Sequence, residues 1–172
     1  MSCMSGKEIT EHIVMHSILN VGETGNAPTD PNADLQISGG HLYIKDGTRA
    51  DKWLSADRFI VHAARDGRAK NSYLRYIDGQ PSLSTGMRIP RNATIMGIVA
   101  QTRGVETWDV RVRRNGVATN LASLTLSGVA GNHTTSLNVD VSTGDRIQIY
   151  ADTTGMIGIR DPNVWVELAW RL

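Results

Sequence analysis

Alternation of apolar and polar residues is the feature that most constrains the fold of this chain. The alternation is clearest in residues 108–113, 137–141, 147–149 and 164–172, where apolar side chains occupy every second position. Successive side chains of a β-strand point to opposite faces, so this pattern gives each strand one apolar face. About eight such segments, spaced roughly 8–12 residues apart, predict an all-β sandwich or barrel, with antiparallel sheets whose outer faces are exposed to water. The pattern does not reveal the order of the strands.

Glycine marks the predicted turns between these segments. The chain has 17 glycines in 172 residues, about 10% against a usual ~7%. Asp-Gly and Asn-Gly pairs favour tight hairpin turns, because glycine and asparagine tolerate positive φ angles. The turn glycines are Gly47, Gly67, Gly79, Gly116 and Gly144.

Residues 1–34 differ in composition and predict an N-terminal arm, followed by a β-sandwich domain over residues 35–172. Ser5 and Glu8 have the spacing of a helix capping box, but the apolar residues after them form no clean helical stripe, so a short helix and an extended arm both remain open. Residues 21–34 hold two Gly and two Pro and cannot bury enough apolar surface to fold alone. The arm residues that we expect to contact a partner are Ile13, Val14 and Ile18.

The charge balance excludes several classes of protein. Lys and Arg number 18 and Asp and Glu number 17, whereas a nucleic-acid-binding protein usually has a basic excess. No apolar run approaches the ~18 residues of a membrane span. The single cysteine, Cys3, cannot form an internal disulfide, and the first residues do not resemble a secretion signal. We therefore expect synthesis in a reducing cytoplasm and neither nucleic acid nor membrane as a partner.

No motif predicts catalysis, a cofactor or a metal. His12 and His16 are four residues apart, but the glutamate that a metalloprotease needs directly after the first histidine instead precedes it, as Glu11. Asp30 and Asn32 imitate the start of a calcium loop that lacks its later glycine and glutamate. Phosphate-binding loops and the hydrolase nucleophile elbow are absent from the sequence. We expect a protein that is not an enzyme and has no cofactor.

Two features point to contacts with other subunits. Arg111 and Arg113 lie on the wet face of one predicted strand, either as a solvated, aggregation-resistant face or as a contact with acidic residues of a neighbouring chain. Trp108 and Trp170 are predicted to point inward, whereas Trp165 falls on the opposite face from its apolar neighbours. An outward tryptophan is covered either by the arm or by another subunit. We favour burial of Trp165 in an oligomer.

Several short segments of residues 35–172 resemble tailed-bacteriophage virion proteins with a jelly-roll head. These segments are 39–48, 53–55, 73–75 with 78–79, and 88–95. Residues 139–149, with Thr143-Gly144-Asp145 between two alternating segments, are also similar to the tumour-necrosis-factor-like jelly roll. The resemblance implies a jelly-roll sandwich that assembles as a trimer.

The resemblance also implies a virion structural protein that is made in the host cytoplasm. Only about 34 residues without heptads precede the predicted head, which suits a capsid decoration (cement) protein better than a fibre. We expect its arm and its homo-oligomeric heads to bind the major capsid protein or another virion protein. The alternative is the receptor-binding head of a tail fibre or tail tip, which recognises a cell-surface glycan or protein. Trp53 and Tyr73 are the candidate contacts for that role, although the core is the more ordinary place for both.

Overall fold

The computed structural model describes residues 35–76 and 86–172, and their regular structure is β-strand apart from one 3-10 turn at Gly47–Arg49. The prediction of an all-β antiparallel sandwich is confirmed. The predicted arm, with Ile13, Val14, Ile18 and the histidines near them, lies outside the described residues, as does the Asp78-Gly79 turn.

The strands of the described residues are, in chain order, β1 (Leu35–Ser38), β2 (His41–Asp46), β3 (Lys52–Ala64), β4 (Arg68–Ala69), β5 (Ser72–Tyr73), β6 (Met87–Arg88), β7 (Ala93–Gln101), β8 (Trp108–Arg114), β9 (Asn120–Leu126), β10 (Gly131–Thr134), β11 (Val139–Val141), β12 (Arg146–Asp152), β13 (Ile159–Arg160) and β14 (Asn163–Arg171). These strands fall into two compact units, one made of the described residues 35–57 with 171–172, and the other of residues 58–76 with 86–170.

The described part of the smaller unit is an antiparallel meander. β1 pairs with β2, and β2 pairs with the start of β3. The Asp46 carboxylate accepts a hydrogen bond from the Thr48 backbone N–H at 2.9 Å, and so caps the 3-10 turn. The predicted tight Asp46-Gly47 hairpin turn is therefore a longer connection, because Asp46 stabilises the 3-10 turn instead.

Two sheets form the larger unit. The first has the order β3–β14–β7–β10, with β11 also paired to β7, and the second has the order β5–β12–β8–β9, with β6 also paired to β12. Consecutive strands repeatedly change sheet: β7 lies in the first, β8 and β9 in the second, β10 and β11 in the first, and β12 in the second. This order is the connectivity of a jelly roll, as predicted. The short strands β4 and β13 pair separately.

Alternating side chains fill the space between these sheets. Along β8 the burial alternates from Trp108 to Arg113, with Arg111 and Arg113 half-buried on the outer face. Trp108 lies in the core as predicted, and Trp170 packs against it while stacking on Phe59 at 5.4 Å between ring centroids. The fully buried core residues include Val110, Val112, Ile147, Ile149, Val164, Val166 and Leu168.

Strand β7 is the exception to alternation, because Ala93 to Ile98 are all buried. It lies between β14 on one side and β10 and β11 on the other. The outward Thr94 is buried and donates its hydroxyl to the Asp140 carboxylate at 2.8 Å. The apolar run at 95–100, which has no clear period, is thus a central strand that is covered on both faces as far as Ile98 and exposes Val99 on its outer face.

The Asn-Gly and Gly-Asp turns adopt the conformations that their residues favour. Asn115 and Gly116 have φ values of 55° and 78°, and the Val117 N–H donates to the Arg114 carbonyl at 3.0 Å, as in a type I′ turn. Gly144 has a φ of 87°, and the Asp145 N–H donates to the Ser142 carbonyl. The glycine surplus is used here for positive φ, as predicted.

The Asp145 carboxylate ties two of these turns together. It accepts hydrogen bonds from the Ser142 N–H and the Asn115 side-chain amide, each at 2.8 Å, and lies 3.7 Å from Arg114. Burial by itself raises the pKa of this carboxyl, but the hydrogen bonds and the guanidinium outweigh burial and hold the pKa below its usual range.

We predict that Asp145→Asn destabilises the protein at neutral pH and that the deficit shrinks as the pH falls below about 4. The folded pKa lies below the unfolded one, so the stability that Asp145 contributes is present above the unfolded pKa and disappears as the pH falls through the folded pKa. Urea unfolding of both proteins at a series of pH values measures this difference. Asp66→Asn, in an exposed turn, is the control. A deficit of the same size at pH 7 and pH 3 would contradict the assignment.

Candidate subunit interface

The outer face of the first sheet carries an apolar stripe. Trp165 on β14 lies directly opposite Val99 on β7. Arg58 and His62 on β3 contact residues on the Trp165 face, so Ile60, which lies between them, shares that face. Ile60 is 57% exposed and Val99 45% exposed. Ile60, Val99 and Trp165 are called the outer stripe below.

The local contacts of Trp165 fix its position without burying it. The His62 ring stacks on the indole with 5.1 Å between ring centroids and 17° between planes. His62 Nε2 donates to Asn163 Oδ1, which fixes the imidazole ring in turn. Trp165 remains half-buried. The prediction that it lies on the face opposite the core is confirmed, and its burial against another subunit stays a prediction.

Polar groups border the outer stripe. Arg58 Nε lies 3.2 Å from Glu167 Oε1 on one side, and the exposed His133 pairs in register with Val99 on the other. An apolar centre with a polar border is the usual composition of a protein–protein interface. Sequence reasoning missed Ile60 and Val99. Each stands inside a run of apolar residues, so the break in alternation was the signal that marked them.

Gly97 keeps this face flat beside Glu167. A Cβ atom at position 97 would lie 2.8 Å from the Thr134 carbonyl oxygen and 3.5 Å from Glu167 Oε2. The first distance is too short for any side chain, so the backbone of β10 could not remain where it is.

The two arginines predicted as interface residues lie on the outer face of the other sheet. Arg111 forms ion pairs with Asp152 and, at 3.6 Å, with Asp109. The Arg113 guanidinium lies 3.6 Å from the centroid of the Tyr150 ring, a cation–π contact. Both arginines therefore have partners within their own chain, and the structure does not bring them together with Trp165.

A cleft lies among the loops at one end of the sandwich. Its volume is about 280 Å3, and it is lined by residues 106–107 and 153–158. Met156, in this lining, is 90% exposed. Lys70 Nζ donates to the Met156 carbonyl at 3.0 Å, and Arg68 donates to the next two carbonyls, which holds the loop in place. Tyr73 and Trp53, proposed above as glycan contacts, are half-buried and do not line this cleft.

Neither a metal cluster nor a membrane helix is found in the part of the chain that the structure describes. Within residues 35–76 and 86–172, no group of three or more His, Cys, Asp or Glu side chains is placed to hold a metal ion. Over the same ranges, no helix has the length and apolar character to cross a membrane. The histidine pair His12 and His16, and the acidic residues of the arm, lie outside those ranges.

Neither a known protein family nor a curated protein sequence matches this chain. Among solved structures, one match is the nucleoplasmin-like N-terminal domain of Drosophila FKBP39, at 14% sequence identity and a TM-score of 0.36. The match covers 68% of this chain and 92% of that domain. A TM-score this low carries no argument about fold or function.

We predict that Gly97→Ala lowers the free energy of unfolding by about 1–3 kcal/mol, the usual effect of forcing an extra carbon into a packed site. Gly131→Ala is the matched control, since the nearest atom to its Cβ is 3.4 Å away. Chemical denaturation of the two variants measures the difference. An equal loss in both variants would show that glycine flexibility, rather than the close approach at Gly97, is responsible.

Proposed function

We propose that this protein is a non-enzymatic virion structural protein, a capsid decoration (cement) protein of a tailed bacteriophage. Its jelly-roll heads associate through the outer stripe into a homo-oligomer, a trimer, and its N-terminal arm binds the shell. The observation that supports association is the outer stripe, which places Ile60, Val99 and Trp165 on three neighbouring strands of one outer face. The assignment to a virion rests on the resemblance described above.

The face that carries the stripe is of the right size for an interface. The strands β3, β14, β7 and β10 have 13, 9, 9 and 4 residues. At about 3.3 Å per residue and about 4.8 Å between strands, their outer face has a projected area of roughly 550 Å2. Because side chains protrude from the sheet, the accessible area of this face is larger than its projected area and approaches the ~800 Å2 per partner that stable interfaces bury. Burial of the indole and its two aliphatic neighbours supplies the central contact that such interfaces need.

Attachment to a capsid adds many weak contacts. Ordering of the arm on the shell opposes binding, and the surface that the arm covers offsets this entropy loss. Because a trimer presents three arms to a repeating lattice, the second and third contacts form at high effective concentration. In this proposal the protein stabilises the shell by burying surface between subunits, and no chemical step is required.

We predict that the double variant Ile60→Ser/Val99→Ser reduces the assembly from three chain masses, each 18.8 kDa, to one. The substitutions remove the apolar area that the oligomer buries, while both side chains are exposed in the single chain. Size-exclusion chromatography with multi-angle light scattering at micromolar protein measures the mass, and circular dichroism checks the fold. Val105→Ser, at a 69% exposed loop position, is the control. A monomeric wild type would overturn the role of the stripe.

We predict that the full chain cosediments with purified capsids and that a variant lacking residues 1–34 binds much less. A full-length triple variant, Ile13→Ser/Val14→Ser/Ile18→Ser, tests the apolar residues of the arm without shortening the chain, and we expect it to lose binding as well. Light scattering on each variant shows whether the heads still associate. Equal capsid binding by all three proteins would remove the arm from the proposal.

The loop-end cleft is the observation that favours the alternative, a receptor-binding head. It is a concave site beside an exposed, anchored loop, with a mostly apolar lining to which threonine hydroxyls and Glu106 add polar groups, the usual composition of a small-ligand site. A glycan array separates the two functions, because specific glycan binding that is lost in Glu106→Ala would support the receptor-binding head. No glycan binding on the array, together with binding to capsids, would support the role of a capsid decoration protein.

A further inference from the structure

Three turns meet at the end of the sandwich where β6, β8 and β12 come together, and they carry four arginines. The turns lie in residues 86–92, 114–117 and 142–146, and the arginines are Arg88, Arg91, Arg114 and Arg146. Arg88 and Arg146 are register partners across β6 and β12, and Arg114 is the register partner of the next β12 residue, Ile147. This group is called the arginine end.

Hydrogen bonds join the three turns into one platform. The Ile89 N–H donates to the Asp145 carbonyl at 2.8 Å, and the Gly144 N–H donates to the Ile89 carbonyl at 2.7 Å. The Arg146 N–H donates to Asn115 Oδ1 at 2.8 Å. The Thr143 N–H donates to Asn92 Oδ1 at 3.1 Å. The backbones that carry the arginines are therefore held before any ligand arrives, which lowers the entropy lost on binding.

The arginine end has a local excess of positive charge, although the whole chain is nearly neutral. Asp145 is the only acidic residue in the three turns, and its carboxylate is occupied by Ser142 and Asn115. Arg114 lies 3.7 Å from that carboxylate. Arg88 and Arg91 are exposed, so their two charges are available to solvent and to a partner.

We propose that the arginine end binds an acidic segment of a protein partner. Guanidinium groups form paired hydrogen bonds with carboxylates, and arginine suits interface ion pairs better than lysine. Val117, in the second of these turns, is 55% exposed and offers an apolar contact to a side chain of the peptide. No aromatic side chain occurs in residues 86–92, 114–117 or 142–146, whereas proteins that bind single-stranded nucleic acid usually combine basic and aromatic side chains.

This contact is additional to those in the proposed function. There the arm reaches the shell and the outer stripe joins the heads, whereas the arginine end belongs to the head and lies away from the stripe along the strands. The arginine end calls for a partner protein that is rich in carboxylates. That partner need not be a capsid.

The test uses the full-length protein and a short fluorescein-labelled poly-L-glutamate peptide as the probe, with fluorescence anisotropy as the readout. We expect binding that weakens as salt rises, because each ion pair releases counterions and is screened. We expect Arg88→Gln/Arg91→Gln to weaken binding about tenfold, the loss of two exposed charge contacts. The matched control is Arg103→Gln/Arg160→Gln, which removes the same charge from exposed positions outside the arginine end, Arg103 being 76% exposed on its side chain.

Each other outcome overturns the proposal in a defined way. Equal weakening by both double variants would show that net charge, and not the arginine end, attracts the peptide. Tighter binding of heparin or of double-stranded DNA than of poly-glutamate would show that the site binds polyanions in general and is not specific for acidic protein. Absence of binding by the wild type at low salt would remove the site. None of these outcomes depends on capsid binding or on the oligomeric state, so they are separate from a failure of the proposed function.

Discussion

The contact between two sheets through their apolar inner faces is the interaction on which the rest of this structure depends. Val166 and Ile98 from the first sheet and Ile149 and Val112 from the second are all fully buried. At roughly 25 cal/mol for each Å2 of apolar surface removed from water, such side chains supply most of the favourable free energy. Because a strand has only two faces, using one for the core leaves the other for solvent or partners. The outer faces and the turns are therefore where function has to be sought.

Sequence reasoning predicted the elements in which one face is apolar and the other polar. Strand β8 alternates so regularly that its wet arginines and buried valines followed directly, and the Asn115-Gly116 pair predicted its turn. The strand β10, with the sequence Gly-Asn-His-Thr, was missed because it has no apolar face. It is held to β7 by backbone pairing, which leaves no trace in side-chain pattern.

The candidate site was less predictable, for a related reason. The outward position of Trp165 followed from alternation within one strand, but its stacking on His62 depends on which strand lies beside β14. Strand order is a long-range property that no local period encodes. The same limit applies to Arg111 and Arg113, whose partners Asp152 and Tyr150 come from β12. Ile60 and Val99 lie far apart in sequence and become one stripe only through the order β3–β14–β7.

The two outer faces differ in how many of their side chains already have partners within the same chain. On the second sheet, Arg111 and Arg113 already have carboxylate and aromatic partners, so a partner protein would have to displace those contacts. On the first sheet, the outer stripe leaves apolar area in water that association would cover. If the stripe forms a cyclic oligomer whose axis runs along the strands, every copy points its turns in the same direction. The arginine ends then lie together on one side of the assembly. Each contact at an arginine end could then be weak while the assembly as a whole binds tightly, since each further contact forms within an assembly that is already bound.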